Sequence, residues 1–460
     1  MATLNTIAAI LQEYYEGPVI EQLNQEIFVL QEFEKVTLGW QGNNLIVPVH
    51  TARNTAVDYI ADGDNLPTAG QQGFERLVVA AMNGVSRFFL SGPSMAAAEK
   101  GGSGAFVDVF KAEMEGLMKD VKNTANRHTT SGGPIIGFLN QKQDPAGGIG
   151  TYSDWEFSGD MDKVTELVNL NATDSDGNGT NDMMVQLIRL DRDGTNDNSL
   201  MVAGETIRCQ LPTAANIAAR TISLESATTA GTLVDTSGVQ DGRAIAVQVD
   251  PTTTGATGNT ANVRNRVARQ PIGIYGNLSS VAHFTVNRGG AAGVDALRSN
   301  VLTQATADPG ARAIVSLDRI QATLDIVENA SEEGPTAILI NYLQRNRYTS
   351  ILQGVLGTAV NLRVEVEQGK GDGGFKTEGL AHAGIPFRSS RHVDNGLLIF
   401  MNSQSWILAE LKELGFAKDG GSILEPVPGA DRAQGFTRWY YNTVCKRPNA
   451  NAILCGLTLG

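Results

Sequence analysis

One run of sequence constrains this chain more than any other: Phe74 to Leu90, FERLVVAAMNGVSRFFL, is β-prone from end to end. As a single strand it would extend ~55 Å at ~3.3 Å per residue. A compact globule of 460 residues has a radius of gyration of about 23 Å. A hairpin of that length projects from the body and finds its partner on another subunit. Upstream, Leu45 to Val49 reads as a strand that Pro48 confines to an edge. The segment between is polar, with Asp58, Asp62, Gly63, Asp64, Pro67 and Gly70. A local alternative competes, because Asn83-Gly84 is a strong signal for a tight two-residue hairpin turn.

The chain's length implies two or three lobes rather than one core. Apolar residues make up 42%, enough for substantial cores, while charged residues make up only 18% and glycine accounts for 51 positions. Low charge with much glycine fits a surface that a partner covers, and equally fits a turn-rich β protein. The net charge of -13 argues against tight nucleic-acid binding, which needs cations on phosphates, but tolerates DNA nearby. The start, MATLNTIAAILQEYYEG, lacks a basic leader, and no apolar run approaches the ~18 residues of a membrane span, so no membrane partner is expected. Cys209, Cys445 and Cys455 are odd in number and far apart, which indicates buried thiols rather than a disulfide framework.

Elsewhere the pattern alternates between helix and strand. Ile7, Ile10, Leu11 and Tyr14 share a helical period that Gly17-Pro18 stops, and Ile20, Leu23, Ile27 and Leu30 resume it. The clearest helix covers 105–128, striped by Val107, Phe110, Met114, Leu117, Val121 and Ala125. From 155 to 285, short β-prone runs separated by Gly, Asp, Asn and Thr predict a small antiparallel sheet or barrel. From 316 onward Ser316 caps a helix striped by Leu317, Ile320, Leu324 and Val327. TAILINY is a strand, NRYTSILQGVL a helix, and NLRVEVEQ, LLIFMN and NAILCGL are strands. The fold class is therefore α+β or α/β in this last lobe.

Chemical motifs are weak. Gly369, Gly371 and Gly374 match GxGxxG, but the following FKTEGLAHAGIPF opposes the helix that a dinucleotide site requires. Asp174, Asp176, Asn178 and Asp182 match the front of a calcium loop, with Gly179 at the bend; position twelve, where a bidentate Glu belongs, is Val185. A poorer copy lies at Asp191, Asp193 and Asp197. A pair of Asx-rich turns explains these residues better than a Ca²⁺ site, so no cofactor is expected. His50, His128, His283, His382 and His392 form no metal-ligand spacing, and GxSxG, CxxC and the P-loop are missing. The chain reads as non-enzymatic.

Segments in a particular order carry a resemblance. YYEGPVIEQLNQEIFVL resembles an N-terminal arm; 45–90 followed by helix 105–128 resembles an E-loop and spine helix; PIGIYGNLSS and SLDRIQATLDIVENASEEGPTAILIN resemble the lead into an axial domain; GLAHAGIPFRSSRHVDNGLLIFMNSQSWIL and YYNTVCKRPNANAILCGL resemble the closing strands. In this order they resemble the tailed-bacteriophage major capsid proteins of the Hong Kong 97-type α+β fold. The resemblance covers most of the chain outside about 155–270 and favours the long hairpin over the Asn83-Gly84 turn.

It implies an N-terminal arm (1–44), an E-loop (45–92), a spine helix with part of a peripheral domain (93–160), an inserted β-rich subdomain or enlarged peripheral domain (161–270), a return and linker (271–315), an axial domain (316–435) and C-terminal strands (436–460). It further implies homo-oligomeric pentamers and hexamers closing into an icosahedral head around genomic double-stranded DNA that is enclosed without specific binding. The other partners it implies are a separate scaffolding protein, a portal protein and, at the inserted region, a cement or decoration protein. The location implied is the virion capsid, assembled in the bacterial cytoplasm. Contact residues in the arm and loop would be Phe28, Leu30, Phe33, Tyr59, Ile60, Phe74, Phe88 and Phe89. A nanocompartment shell of the same fold is the nearest rival, and a calcium-dependent β-rich binding module a remote one.

Some family members crosslink covalently through an E-loop Lys. Here no Lys occurs between Lys35 and Lys100. Mature particles should therefore run as monomers on a denaturing gel, and a ladder of covalent multimers would refute this.

Overall fold

The computed structural model describes residues 28–93 except 55, 58, 61, 63, 64, 66 and 67; then 103–131, 135–142, 153–159, 161, 164, 165, 168, 182–189, 207–226, 244–248, 270–278, 283–286, 288, 294–304, 313–355, 380–417 and 423–458. The helical stripe expected at Ile7–Tyr14, the GxGxxG glycines and the strand NLRVEVEQ lie outside these residues.

The chain enters through a one-turn helix, α1 (Phe28–Gln31), and three strands, β1 (Glu34–Val36), β2 (Trp40–Gln41) and β3 (Asn44–Ala52). The long β-prone run does not form one strand. It divides at Ala81 into β4 (Gly73–Ala80), paired antiparallel with β3, and β5 (Met82–Ser91), which belongs to another sheet. Asn83 and Gly84 lie inside β5, opposite Tyr440 and Trp439, so the tight local turn is not formed. Beside Pro48 the outer side of β3 is an edge, because β2 reaches only Asn44 and Leu45; proline can sit there without costing a ladder bond. α2 (Ser103–Ser131, 29 residues, ~43 Å long) then runs across the inner face of β5, where its Met114 packs with Phe88 and Leu90.

Six strands next close a barrel: β6 (Ile135–Lys142), β7 (Ser153–Phe157), β8 (Asp182–Arg189), β9 (Ile207–Gln210), β10 (Thr221–Ser226) and β11 (Ala244–Gln248), in the order β10-β7-β6-β11-β8-β9. The β-rich region thus draws two strands from before residue 161. Ile136, Trp155, Phe157, Val185, Ile222 and Leu224 share its apolar core. Phe157 lies so close to β6 that a Cβ on Gly137 would fall 2.5 Å from its ring. A short helix, α3 (Ala214–Ala219), is fixed by a capping box between Thr213 and Asn216. Asn216 also donates to Asp154, Thr221 and Ser223, tying the helix to the barrel wall.

The remainder builds two sheets around α4 (Ile274–Leu278), α5 (Leu317–Ser331) and α6 (Tyr342–Val355). One sheet contains β12 (Asn300–Thr303), β14 (Ala337–Ile340), β15 (Ala381–His382), β16 (Ile385–Ser389), β17 (Leu398–Met401) and β21 (Ala452–Cys455); a side pair joins β13 (Ala313–Ile314) to β22 (Leu457–Thr458). The central strands are buried on both faces, and period two sorts their side chains. Ile338, Ile340, Leu398, Phe400 and Leu454 meet Ile320, Leu324 and Val327 of α5. Leu339, Ile399, Met401, Ile453 and Cys455 share a second core with Tyr275 and Trp406. Ser316 caps α5 as its sequence predicts, accepting from the Arg319 N–H. All three cysteines are buried thiols outside any disulfide.

The other sheet is organised by β20 (Arg432–Cys445), a strand of 14 residues. β18 (Trp406–Phe416) and β19 (Glu425–Pro426) pair with one side of it and β5 with the other, while β1 pairs parallel with β18. At Asn442 the ladder with β5 has run out, and the side chain replaces it. Its Nδ2 donates to the Ala80 carbonyl (2.8 Å) and its Oδ1 accepts from the Ile272 N–H (2.9 Å). The chain can therefore leave β20 at Ala81 and turn to β3 without a buried unpaired carbonyl. Asn442→Leu, filling the same volume without the amide, should destabilise the fold by about 2–4 kcal/mol. Equilibrium denaturation would check this, and a change below about 0.5 kcal/mol would contradict the role given to Asn442.

Candidate assembly surface

The β3–β4 hairpin has two unlike halves. At its base Leu45, Val47, Val49, Leu77 and Val79 are buried against Ile407, Ala409, Val444, Val286 and Leu297. The Trp40 indole donates to the Glu410 carbonyl (3.1 Å), and the turn at 283–286 adds an edge: Thr285 Oγ1 donates to the Arg76 carbonyl (3.0 Å) and accepts from the Val78 N–H (3.3 Å). Beyond His50 and Phe74 the apolar side chains turn outward. Val57 is 86% exposed, Tyr59 102%, Ile60 46% and Phe74 68%. The limbs of the far half still touch, since Asn54 lies against Gly70 and its Oδ1 accepts from the Ala56 N–H (2.8 Å). Near the far end Arg53 approaches Glu332, at the C-terminus of α5, at 4.0 Å, a pair too exposed to hold anything.

Of the contact residues expected from the sequence, Tyr59, Ile60 and Phe74 sit on this exposed half. Leu30, Phe33 and Phe88 do not serve a neighbour, because each is buried in the chain's own core. Phe33 stacks on Trp406 with ring centroids 5.2 Å apart, and Phe88 packs beside Met114 and Ile423. Their apolar character is spent on folding, a demand that local sequence cannot separate from assembly. Phe28 opens α1, and its side chain lies outside the described residues.

Phe89 belongs to a second surface that sequence reading did not assemble. The outer face of the β5–β20 ribbon carries Val85, Arg87 and Phe89 opposite Arg438, Phe436 and Gln434, with Arg432 opposite Ser91. The guanidinium carbons of Arg87 and Arg432 lie over the Phe89 ring at 4.5 and 4.6 Å, and that of Arg438 over Phe436 at 4.8 Å. Alternation of arginine with aromatics at every second residue was the available signal; pairing across more than 340 positions was not.

No group of His, Cys, Asp and Glu able to hold a metal occurs among the described residues. Asp182 begins β8, whereas Asp174, Asp176 and Asn178 lie outside the described residues. Burial pushes the Cys445 thiol up to about 12, the opposite of what a nucleophile needs. No helix among the described residues is long and apolar enough to cross a membrane.

The 283–286 turn that braces the hairpin is itself pH-sensitive. His283 is buried, and its Nε2 donates to the Cys445 carbonyl at 2.9 Å. Burial, with the positive charge of Arg288, lowers its pKa from 6.5 to about 3. The folded-state value lies below the unfolded one, so the unfolded chain takes up a proton first as pH falls. The site's contribution is intact above about 6.5 and drains away between about 6.5 and 3. The melting temperature of His283→Gln, which keeps a donor but does not titrate, should gain on wild type between about pH 7 and about pH 4. Parallel melting curves across that range would refute the assignment.

No family model matches the sequence, and no curated protein matches it. Solved structures similar to this chain include the following three. A cyanophage A-1(L) capsid asymmetric unit superposes with a TM-score of 0.47 at 8% identity, over 94% of this chain and 93% of the other. The capsid of a native GTA particle gives 0.39 at 8%, over 94% and 91%. A virus-like particle from Pyrococcus furiosus gives 0.36 at 8%, over 96% and 99%.

Proposed function

We propose that this chain is the major capsid protein of a tailed bacteriophage, a Hong Kong 97-type shell subunit that assembles with copies of itself into pentamers and hexamers. The observation that carries the reading is the hairpin with a buried base and an apolar outer half. A monomer gains nothing by holding Val57, Tyr59, Ile60 and Phe74 in water, whereas burying each against a neighbour contributes roughly 1.5–3 kcal/mol. Head-to-tail contacts generate closed rings when their rotation closes, and many modest contacts per subunit make the lattice stable by multivalency.

The role is structural rather than catalytic. Double-stranded DNA is enclosed without a specific site, in keeping with the net charge of -13. A separate scaffolding protein guides assembly in the bacterial cytoplasm, a portal protein takes one vertex, and the barrel is the place for a cement or decoration protein.

The test is negative-stain microscopy of the expressed chain, alone and with its scaffold. Shells are expected. Tyr59→Ser with Ile60→Asp should abolish them while shifting the melting temperature of the unassembled chain by less than about 2 °C, since exposed substitutions rarely move stability. A wild-type chain that stays monomeric under all these conditions would overturn the reading, and shells loaded with enzyme cargo would turn it to a nanocompartment.

A further inference from the structure

A cavity of about 370 Å³ opens where three parts of the chain meet: the second half of α2, the corner between α3 and β10 on the barrel, and the loop from β16 to β17. That volume lies within the roughly 300–1,000 Å³ of small-molecule sites. Each part brings an arginine to the wall: Arg127 from α2, Arg220 from the end of α3 and Arg391 from the loop. Among the described residues Asp394 is the single carboxylate lining the cavity, and it can balance only one of the three. A concave wall of one sign concentrates ions of the other, and here the excess is positive in a chain whose net charge is -13.

The guanidinium groups are held in place. Arg391 donates through Nε to Nε2 of His392 (3.2 Å) and through a terminal nitrogen to Oδ1 of Asn123 (3.3 Å), so α2 and the loop fix it jointly. Arg220 donates to the Gly159 carbonyl (3.2 Å), just beyond β7. Its backbone ends α3 at φ +55°, a left-handed conformation that glycine adopts more easily than any other residue. An arginine at this corner adds a cation to the cavity at some conformational cost. Met161, Ile217 and Val393 supply an apolar stretch of the same wall.

We infer that this cavity binds a small phosphate-bearing molecule, whose phosphate oxygens accept from the guanidinium forks of Arg127, Arg220 and Arg391. A phosphate group offers three strong acceptor oxygens, one for each fork, whereas a carboxylate offers two. Bound there, the anion cancels the repulsion among the three cations. It also ties the barrel, through Arg220, to α2 and to the β16–β17 loop of the other sheet. The site is complete within one copy of the chain, so it stands or falls independently of the shell reading.

Calorimetric titration of the full chain with sodium phosphate, at an ionic strength fixed with chloride, tests this. A single saturable site is expected. Arg391→Gln and Arg220→Gln should each weaken it about tenfold or more, while Arg87→Gln, on the outer β5–β20 face, should stay within about twofold of wild type. Both cavity arginines are exposed residues, so without phosphate each variant should melt within about 2 °C of wild type. Arg391→Lys, which keeps the charge and loses the fork, should bind with intermediate affinity. A nucleoside 5′-monophosphate that binds more tightly than inorganic phosphate would name a nucleotide as the ligand, using the apolar wall. Equal affinity would name free phosphate, and either result upholds the site. No saturable heat from either small phosphate would overturn the inference, whether or not duplex DNA binds. Folded cavity variants that bind phosphate as wild type does would overturn it as well.

Discussion

Everything else in the structure hangs from β20. Along ten positions it pairs with β5, from the opposite end of the chain, and on its other side with β18. Such pairing closes a very long loop before any bond rewards it, so it depends on the apolar faces on either side. Those faces are present. Trp439 and Tyr441 stack 3.8 Å apart beneath the strand, and the Trp439 indole donates to the buried carboxylate of Glu410 at 2.9 Å. Burial raises the Glu410 pKa, so that carboxyl resists ionisation.

Side-chain amides finish what the ladders cannot. Asn442 takes over where β5 ends. Asn277 accepts from the Cys445 N–H and donates to the Thr443 carbonyl, pinning α4 to the strand. Asn451, fully buried, accepts from both the Asn402 N–H and the Trp406 indole and donates to Ser405 and the Arg447 carbonyl. Each occupies a place where a strand must stop while its backbone groups remain dry, where an unmet donor or acceptor would cost about 1–3 kcal/mol. The hairpin can project because its root is held this firmly.

Sequence exposed what depends on local pattern. The 3.6-residue stripe located α2 and α5, Ser316 marked its helix start, and β runs between turn clusters foretold an antiparallel sheet or barrel. It was silent where the outcome depends on a distant partner. The Phe74–Leu90 run has uniform propensity, and only Asn43 and Asn442, flanking the junction in space, decide that it splits at Ala81. The candidate surface divides in the same way. Apolar side chains in and beside a polar loop were legible at Tyr59, Ile60 and Phe74. Phe33 and Phe88 look identical to them in sequence and differ only in having Trp406 and Met114 to cover them. The arginine platform existed as two half-patterns, at 85–91 and 432–440, that only the sheet could join.

The barrel has a consequence of its own. Its six strands close, with β9 bonded to both β8 and β10, so the ring offers no unpaired edge. An open sheet repeated at high density on a common support would invite its neighbours to zip together, edge to edge, into a continuous fibrous mat. A sealed ring makes each repeat socially inert. In the shell proposed above, copies could crowd shoulder to shoulder without their barrels pairing edge to edge.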